Sequence, residues 1–228
     1  MMSLELYQFL ICPYCHRASI AMALSGLPCT FHTVDPANKP ESFLKLWPQG
    51  SVPLLVVNGE HLLPDSTAIS EYLNDRVEGR LHPSNLEERS LHRYAIEIIG
   101  STLRLLGPVM TAREESAMVQ AWHGVIDSLG ELEETLESGR LVREGEPYML
   151  VDAAMATVAL RLREYTALGH PKLVLDDVPE VAAWGDRLLA DPVIRSAMPQ
   201  PFTPLFRRFV TMRGKGGFLA SLLEKASS

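Results

Sequence analysis

The chain has 228 residues, 46% hydrophobic and 21% charged, with a formal net charge of -7, a globular composition that excludes disorder and a general binder of phosphate backbones. No apolar run approaches the roughly 20 residues of a membrane-spanning helix, and no basic segment of a secretory signal opens the chain. Three cysteines are an odd count for a disulfide scaffold, so a cytoplasmic, reduced protein is expected.

Residues 4–10 (LELYQFL) alternate and predict a first strand. From Pro13 the spacing becomes helical, with Ile20, Met22, Ala23 and Leu24 on an apolar face that stops at Gly26. Residues 29–35 (CTFHTVD) predict a second strand. Residues 40–47 (PESFLKLW) predict a short helix, Pro40 standing where a missing N–H is tolerated. Residues 52–57 (VPLLVV) make a wholly apolar strand, and Asn58-Gly59 predicts a two-residue hairpin turn into EHLL. Residues 65–77 predict a helix capped by Asp65 or Ser66. The order demands a parallel strand pair joined by a crossover helix, then an antiparallel hairpin and a last helix.

A Gly-, Pro-, Ser- and Asn-rich stretch, EGRLHPSNLEE, marks a linker. Beyond it, segments beginning near Leu86, Ala112, Pro147 and Pro179 carry helical periodicity and no strand pattern. Two domains follow: a mixed α/β domain over 2–80 and an all-helical one over 85–228. The basic tail RRFVTMRGKGG reads as a solvated face or a mobile end.

The chemistry-bearing motif is Cys12-Pro13-Tyr14-Cys15, at a strand-to-helix junction. Free N–H groups and the positive end of the helix dipole favour a thiolate at Cys12, lowering its pKa from about 8.5 towards 3.5–7.5. Cys15, one turn in, is close enough to form a disulfide with it. Zinc needs about four ligands; Cys29 stands alone in an apolar strand and no paired histidines follow, so no metal is expected. Cys29 reads as core. His16 and Arg17 could add positive potential near Cys12, but as exposed helix positions they read as solvated.

Four features in order resemble one family. They are CPYC after the first strand, NKPESFLKLWPQGSVPLL, the Ser51-Val52-Pro53 that precedes the third strand, and DSTAISEYL. The chain resembles the cytosolic glutathione transferases, most nearly the cysteine-type, omega-like members, with a glutaredoxin-like CPYC. The resemblance implies a thioredoxin-like N-terminal domain (βαβαββα) and an all-α helical C-terminal domain. It also implies glutathione as cofactor, Cys12 and Cys15 as catalytic residues, and a homodimer. Within that frame Lys39 meets the glycyl carboxylate, a cis Val52–Pro53 bond presents backbone to the cysteinyl unit, and Asp65 and Ser66 grip the γ-glutamyl end. Without it, Lys39 is a solvated loop lysine, Pro53 a strand-starting proline, and Asp65 and Ser66 a plain helix cap. GEPYMLVDAAMATVAL resembles the family's buried central helix, with Met149 in place of the usual Ser or Thr cap.

The activity so implied is glutathione-dependent thiol–disulfide exchange on a small-molecule or protein disulfide, without nucleic acid or membrane. Conjugation, dehalogenation or isomerisation of an electrophile is the alternative enzyme. A partner-binding protein on the same fold is the non-enzymatic alternative. Tyr94, Ile98, Thr102, Met110 and Trp122 are candidates for a substrate wall or, more simply, for core.

Overall fold

The structure, a computed structural model, describes residues 2–139, 141–142 and 145–226. Four strands form one mixed sheet: β1 (Leu4–Gln8), β2 (Thr30–Thr33), β3 (Leu54–Val57) and β4 (His61–Pro64), in the order β2-β1-β3-β4. β1 and β2 are parallel, and β3 runs antiparallel to both β1 and β4. The crossover between β1 and β2 is α1 (Pro13–Ser25), which stops at Gly26 with φ 70, the left-handed cap that glycine adopts without strain. α2 (Glu41–Leu46) and α3 (Ser66–Arg76) complete a thioredoxin-like N-terminal domain of the expected βαβαββα order.

The expected hairpin is one residue longer than its sequence suggests. Asn58 and Gly59 both take positive φ, as the turn type requires, and the Glu60 N–H bonds the Val57 carbonyl at 3.1 Å. The strand pairing nevertheless runs from Val57 to His61, so Glu60 stands as an extra residue.

α2 packs Phe43 onto Leu54, Val56 and Val34 on one face of the sheet. On the other face lie α1 and α3, whose Ile20, Met22, Ile69 and Leu73 join a core that continues into the helical domain. That domain comprises α4 (Leu86–Thr111), α5 (Glu115–Glu137), α6 (Leu150–Thr166), α7 (Pro179–Ala190), α8 (Pro192–Ser196), α9 (Phe202–Arg213) and α10 (Phe218–Ala226). α6 is buried along most of its length, and it packs against α1. Its start follows the resemblance: Asp152 Oδ2 accepts the Met149 N–H at 2.8 Å, and Oδ1 accepts the Trp184 indole N–H at 2.9 Å. Met149 brings only a thioether to the reciprocal half of the box.

The basic tail is not a mobile end. Its arginines are indeed solvated, but Phe206 and Val210 of α9 are buried. At Gly214 a Cβ would meet the Met110 carbonyl oxygen at 2.7 Å, so only glycine lets this segment dock on the end of α4. The Phe218 N–H then bonds the Ala112 carbonyl at 2.8 Å. Of the wall candidates, Ile98, Thr102 and Trp122 are core and Met110 is half-buried, whereas Tyr94 is exposed.

Candidate active site

Strand register gathers the expected site at one end of the sheet. Gln8, last in β1, pairs with Thr33, last in β2; Leu54, first in β3, lies opposite both Tyr7 and Pro64, last in β4. The loops leaving β1, β2 and β4 and the loop entering β3 therefore share that end. The loop after β1 carries Cys12, with Cys15 in the first turn of α1; the loop after β2 carries Lys39; the loop entering β3 carries Val52 and Pro53; and Asp65 follows β4, with Ser66 opening α3.

Cys12 is the N-cap of α1 and partly exposed; Cys15 is fully buried. The Cys15 S–H, then the N–H groups of Cys15 and Tyr14 and the charge of Arg161, hold the Cys12 thiol down to about 7 against the opposing effect of burial. Cys15 moves the other way, pushed well above the ordinary thiol range by its hydrogen bond to Cys12 and by burial. The Phe9 N–H donates to Cys15 Sγ at 3.3 Å and fixes that sulfur behind its neighbour. Two cysteines one turn apart are thus shifted in opposite directions: the accessible thiol downward, and the buried one that donates to it upward.

His16 and Arg17 are buried, against the sequence expectation of solvated positions. The reason is tertiary: α1 lies between α3 and α6, so even its polar positions meet protein. His16 Nε2 lies 2.8 Å from the Leu10 carbonyl oxygen, which can only accept, so that nitrogen carries the hydrogen. Burial, with Arg161 nearby, lowers the His16 pKa to about 3, and the ring is neutral at physiological pH. It is neither a cation for the thiolate nor its base.

Arg17 reaches α3. Its Nε donates to Ser66 Oγ at 3.0 Å and its Nη2 to Thr67 Oγ1 at 2.9 Å. Ser66 is itself fully buried beneath this guanidinium. Asp65 takes φ 71 and caps α3, its Oδ1 accepting the N–H groups of Thr67 at 2.8 Å and Ala68 at 3.1 Å. A cavity of about 480 Å³ opens beside them, lined among others by Tyr14, Arg17, Asp65, Thr67, Glu97 and Arg104. The sequence did not place Arg17 beside Ser66 and Thr67, because these partners lie about fifty positions away.

At the opposite flank Lys39 folds over Gly50. A Cβ on Gly50 would meet Lys39 Nζ at 3.1 Å, and Gly50 also needs φ +62. The ammonium therefore stands beside the loop that carries Val52. The Val52–Pro53 bond is cis. Cys29 precedes β2 rather than lying inside it and is only half-buried; burial raises its thiol to about 11. Among the described residues no cluster of three or more His, Cys, Asp or Glu could hold a metal. No helix among them is long and apolar enough to cross a membrane.

Residues 6–81 match the family model of the glutathione S-transferase N-terminal domain. The chain is 38% identical over 64 residues to a probable glutathione transferase of Aplysia californica, an alignment covering 28% of this chain and 68% of that protein. It is 22% identical over 199 residues to glutathione S-transferase omega-1 of Mus musculus, covering 85% and 79%. With glutathione S-transferase 1 of Dianthus caryophyllus it shares 36% identity over 107 residues, 45% of this chain, and there it spans about half, 48%, of the relative's length. Among solved structures, rice GST1 in complex with glutathione superposes with a TM-score of 0.79 over 94% of this chain and 97% of that one, at 23% identity. That likeness is one of fold.

Proposed function

Because the chain belongs to the cytosolic glutathione transferase superfamily and is omega-like, we propose that it catalyses glutathione-dependent thiol–disulfide exchange through the Cys12 thiolate. The observation that carries this reading is the Cys12–Cys15 pair: an accessible sulfur held down to about 7, with a buried thiol donating to it. The thiolate attacks a sulfur of the substrate disulfide or glutathione mixed disulfide; the new S–S bond forms as the old one breaks, and the departing thiolate takes a proton. When the bound sulfur is glutathione's, reduced glutathione attacks the enzyme mixed disulfide and restores Cys12, leaving as oxidised glutathione. When it is the substrate's, glutathione leaves as a glutathione–substrate mixed disulfide that a second round through Cys12 resolves. For protein disulfide substrates Cys15 can instead attack the Cys12 mixed disulfide, releasing the reduced substrate and closing a Cys12–Cys15 disulfide, which two molecules of glutathione reopen as oxidised glutathione forms.

Glutathione would lie across the gathered end of the sheet. Its cysteinyl unit meets the Val52–Pro53 backbone, its glycyl carboxylate Lys39, and its γ-glutamyl head the cavity beside Asp65. In that cavity Arg17 suits the α-carboxylate and Asp65 the α-ammonium, with Ser66 holding Arg17 in place. The binding unit is residues 2–80, the helical unit is 85–228, and the same reading takes the enzyme as a cytoplasmic homodimer whose three cysteines are free. The protein should be retained on immobilised glutathione and should reduce hydroxyethyl disulfide with glutathione as donor. Retention with conjugation of chlorodinitrobenzene but no disulfide turnover would replace this reading with conjugation; neither binding nor turnover would leave a binding protein.

A further inference from the structure

Arg161 lies in α6 between Leu160 and Leu162, and all three are buried. A guanidinium keeps its charge inside proteins, and a buried charge is costly unless an anion or metal answers it. Its Nη1 donates to the Thr157 carbonyl at 2.7 Å and its Nη2 to the Ile11 carbonyl at 2.8 Å, both neutral acceptors. It also meets the His16 ring, whose Nδ1 lies 3.4 Å from Nη2, and the Phe202 ring, 5.6 Å from the guanidinium carbon. Phe202 opens α9 and helps shut the cation away from solvent. Among the described residues no carboxylate lies within ion-pair distance of Arg161.

Ile11 immediately precedes Cys12, so the guanidinium is tied to the loop that carries the nucleophile. The groups that favour its charge are, in order, Cys12, Tyr165, Cys15 and Tyr14. Tyr165 is held neutral by burial, and Cys15 by its hydrogen bond to Cys12. Cys12 is the neighbour whose ionisation falls near neutral pH.

We propose that Arg161 is a positioning residue for the thiol chemistry: through it the helical domain supplies the buried counter-charge of the Cys12 thiolate and holds the Ile11–Cys12 loop against α6. This rests on Cys12 being the nucleophile, as proposed above, but not on glutathione being its partner. Iodoacetamide alkylation of Cys12 therefore tests it without glutathione. Failure of glutathione turnover with normal alkylation would touch only the earlier reading.

Arg161→Gln keeps an N–H for the Ile11 carbonyl and removes the charge; Arg161→Lys keeps the charge. The Cys15 S–H and the backbone N–H groups act on Cys12 more strongly than Arg161 does, so the expected shift is partial. In Arg161→Gln the alkylation midpoint should rise by about 0.5–1 pH unit, a three- to tenfold slower reaction near pH 6. Arg161→Lys should restore the parent profile. A folded Arg161→Gln with the parent's midpoint, or Gln and Lys variants shifted alike, overturns the proposal. If Arg161→Gln does not fold, the parent and Cys12→Ser proteins decide it by NMR: the Arg161 side-chain nitrogen resonances should shift with the Cys12 titration in the parent and stay fixed over the same pH range in Cys12→Ser. Arg161 resonances that behave alike in the two proteins overturn the proposal.

Discussion

Replacing Cys12 with serine should lower glutathione-dependent disulfide reduction by at least about a thousandfold, because a serine hydroxyl stays un-ionised where the thiolate is populated. Cys15 is expected to divide by substitution. Cys15→Ser keeps an O–H to donate to Cys12, so it should keep removal of glutathione from mixed disulfides, a route that needs one cysteine and free glutathione. It should lose only those reactions that pass through an internal Cys12–Cys15 disulfide. Cys15→Ala deletes the donor that contributes most to lowering the Cys12 pKa. Its alkylation midpoint should climb towards the ordinary thiol value of about 8.5. Steady-state disulfide reduction and mixed-disulfide cleavage by the three variants check this. Full activity in Cys12→Ser, or identical profiles for Cys15→Ser and Cys15→Ala, would sink the assignment of roles.

Asp65→Asn should raise the KM for glutathione about ten- to a hundredfold, the equivalent of about 1.5–3 kcal/mol for one charged hydrogen-bond partner. Asparagine separates the two jobs this position can perform. It caps a helix about as well as aspartate and tolerates positive φ, so the bonds to the Thr67 and Ala68 N–H groups can be kept while the charge is lost. Melting temperature and Cys12 alkylation in the free enzyme should stay near the parent's. Asp65→Ala should show the same loss of affinity together with about 1 kcal/mol of destabilisation from the missing cap. Unchanged glutathione affinity in Asp65→Asn would reduce Asp65 to a cap and move the γ-glutamyl site elsewhere.

Local signals account for most of what was legible. Alternation in LELYQFL, the Asn58-Gly59 pair, the α1 stop at Gly26 and the cap at Asp65 each act over a few residues, and they specify the mixed sheet and its helices. The CPYC motif is legible for the same reason, since its chemistry follows from sitting at the first turn of a helix. The parts that stayed hidden depend on chain segments distant in sequence. Glu60 enters the hairpin as an extra residue because of the register β3 takes with β4, which the Asn-Gly pair does not specify alone. His16 and Arg17 look solvated on a helical projection until α3 and α6 cover both sides of α1. Arg161 donates to Ile11, 150 positions earlier, and the one hint was a cation inside the apolar run VALRL. The tail's basic residues masked the buried stripe of Phe202, Phe206 and Val210 that holds α9 to the rest.

The most direct test follows alkylation of Cys12 across pH with and without reduced glutathione, reading Cys12, Cys15 and Cys29 separately by peptide mass spectrometry. Because the Cys12 thiol is held down to about 7, reactivity should be full above that value and fall away as pH drops through it. Saturating glutathione should slow the reaction by occupying the site in front of the sulfur. Cys15, buried and raised, and Cys29, raised to about 11, should lag far behind at neutral pH. A Cys12 midpoint at about 8.5, a faster reaction at Cys29, or a rate indifferent to glutathione would contradict the account.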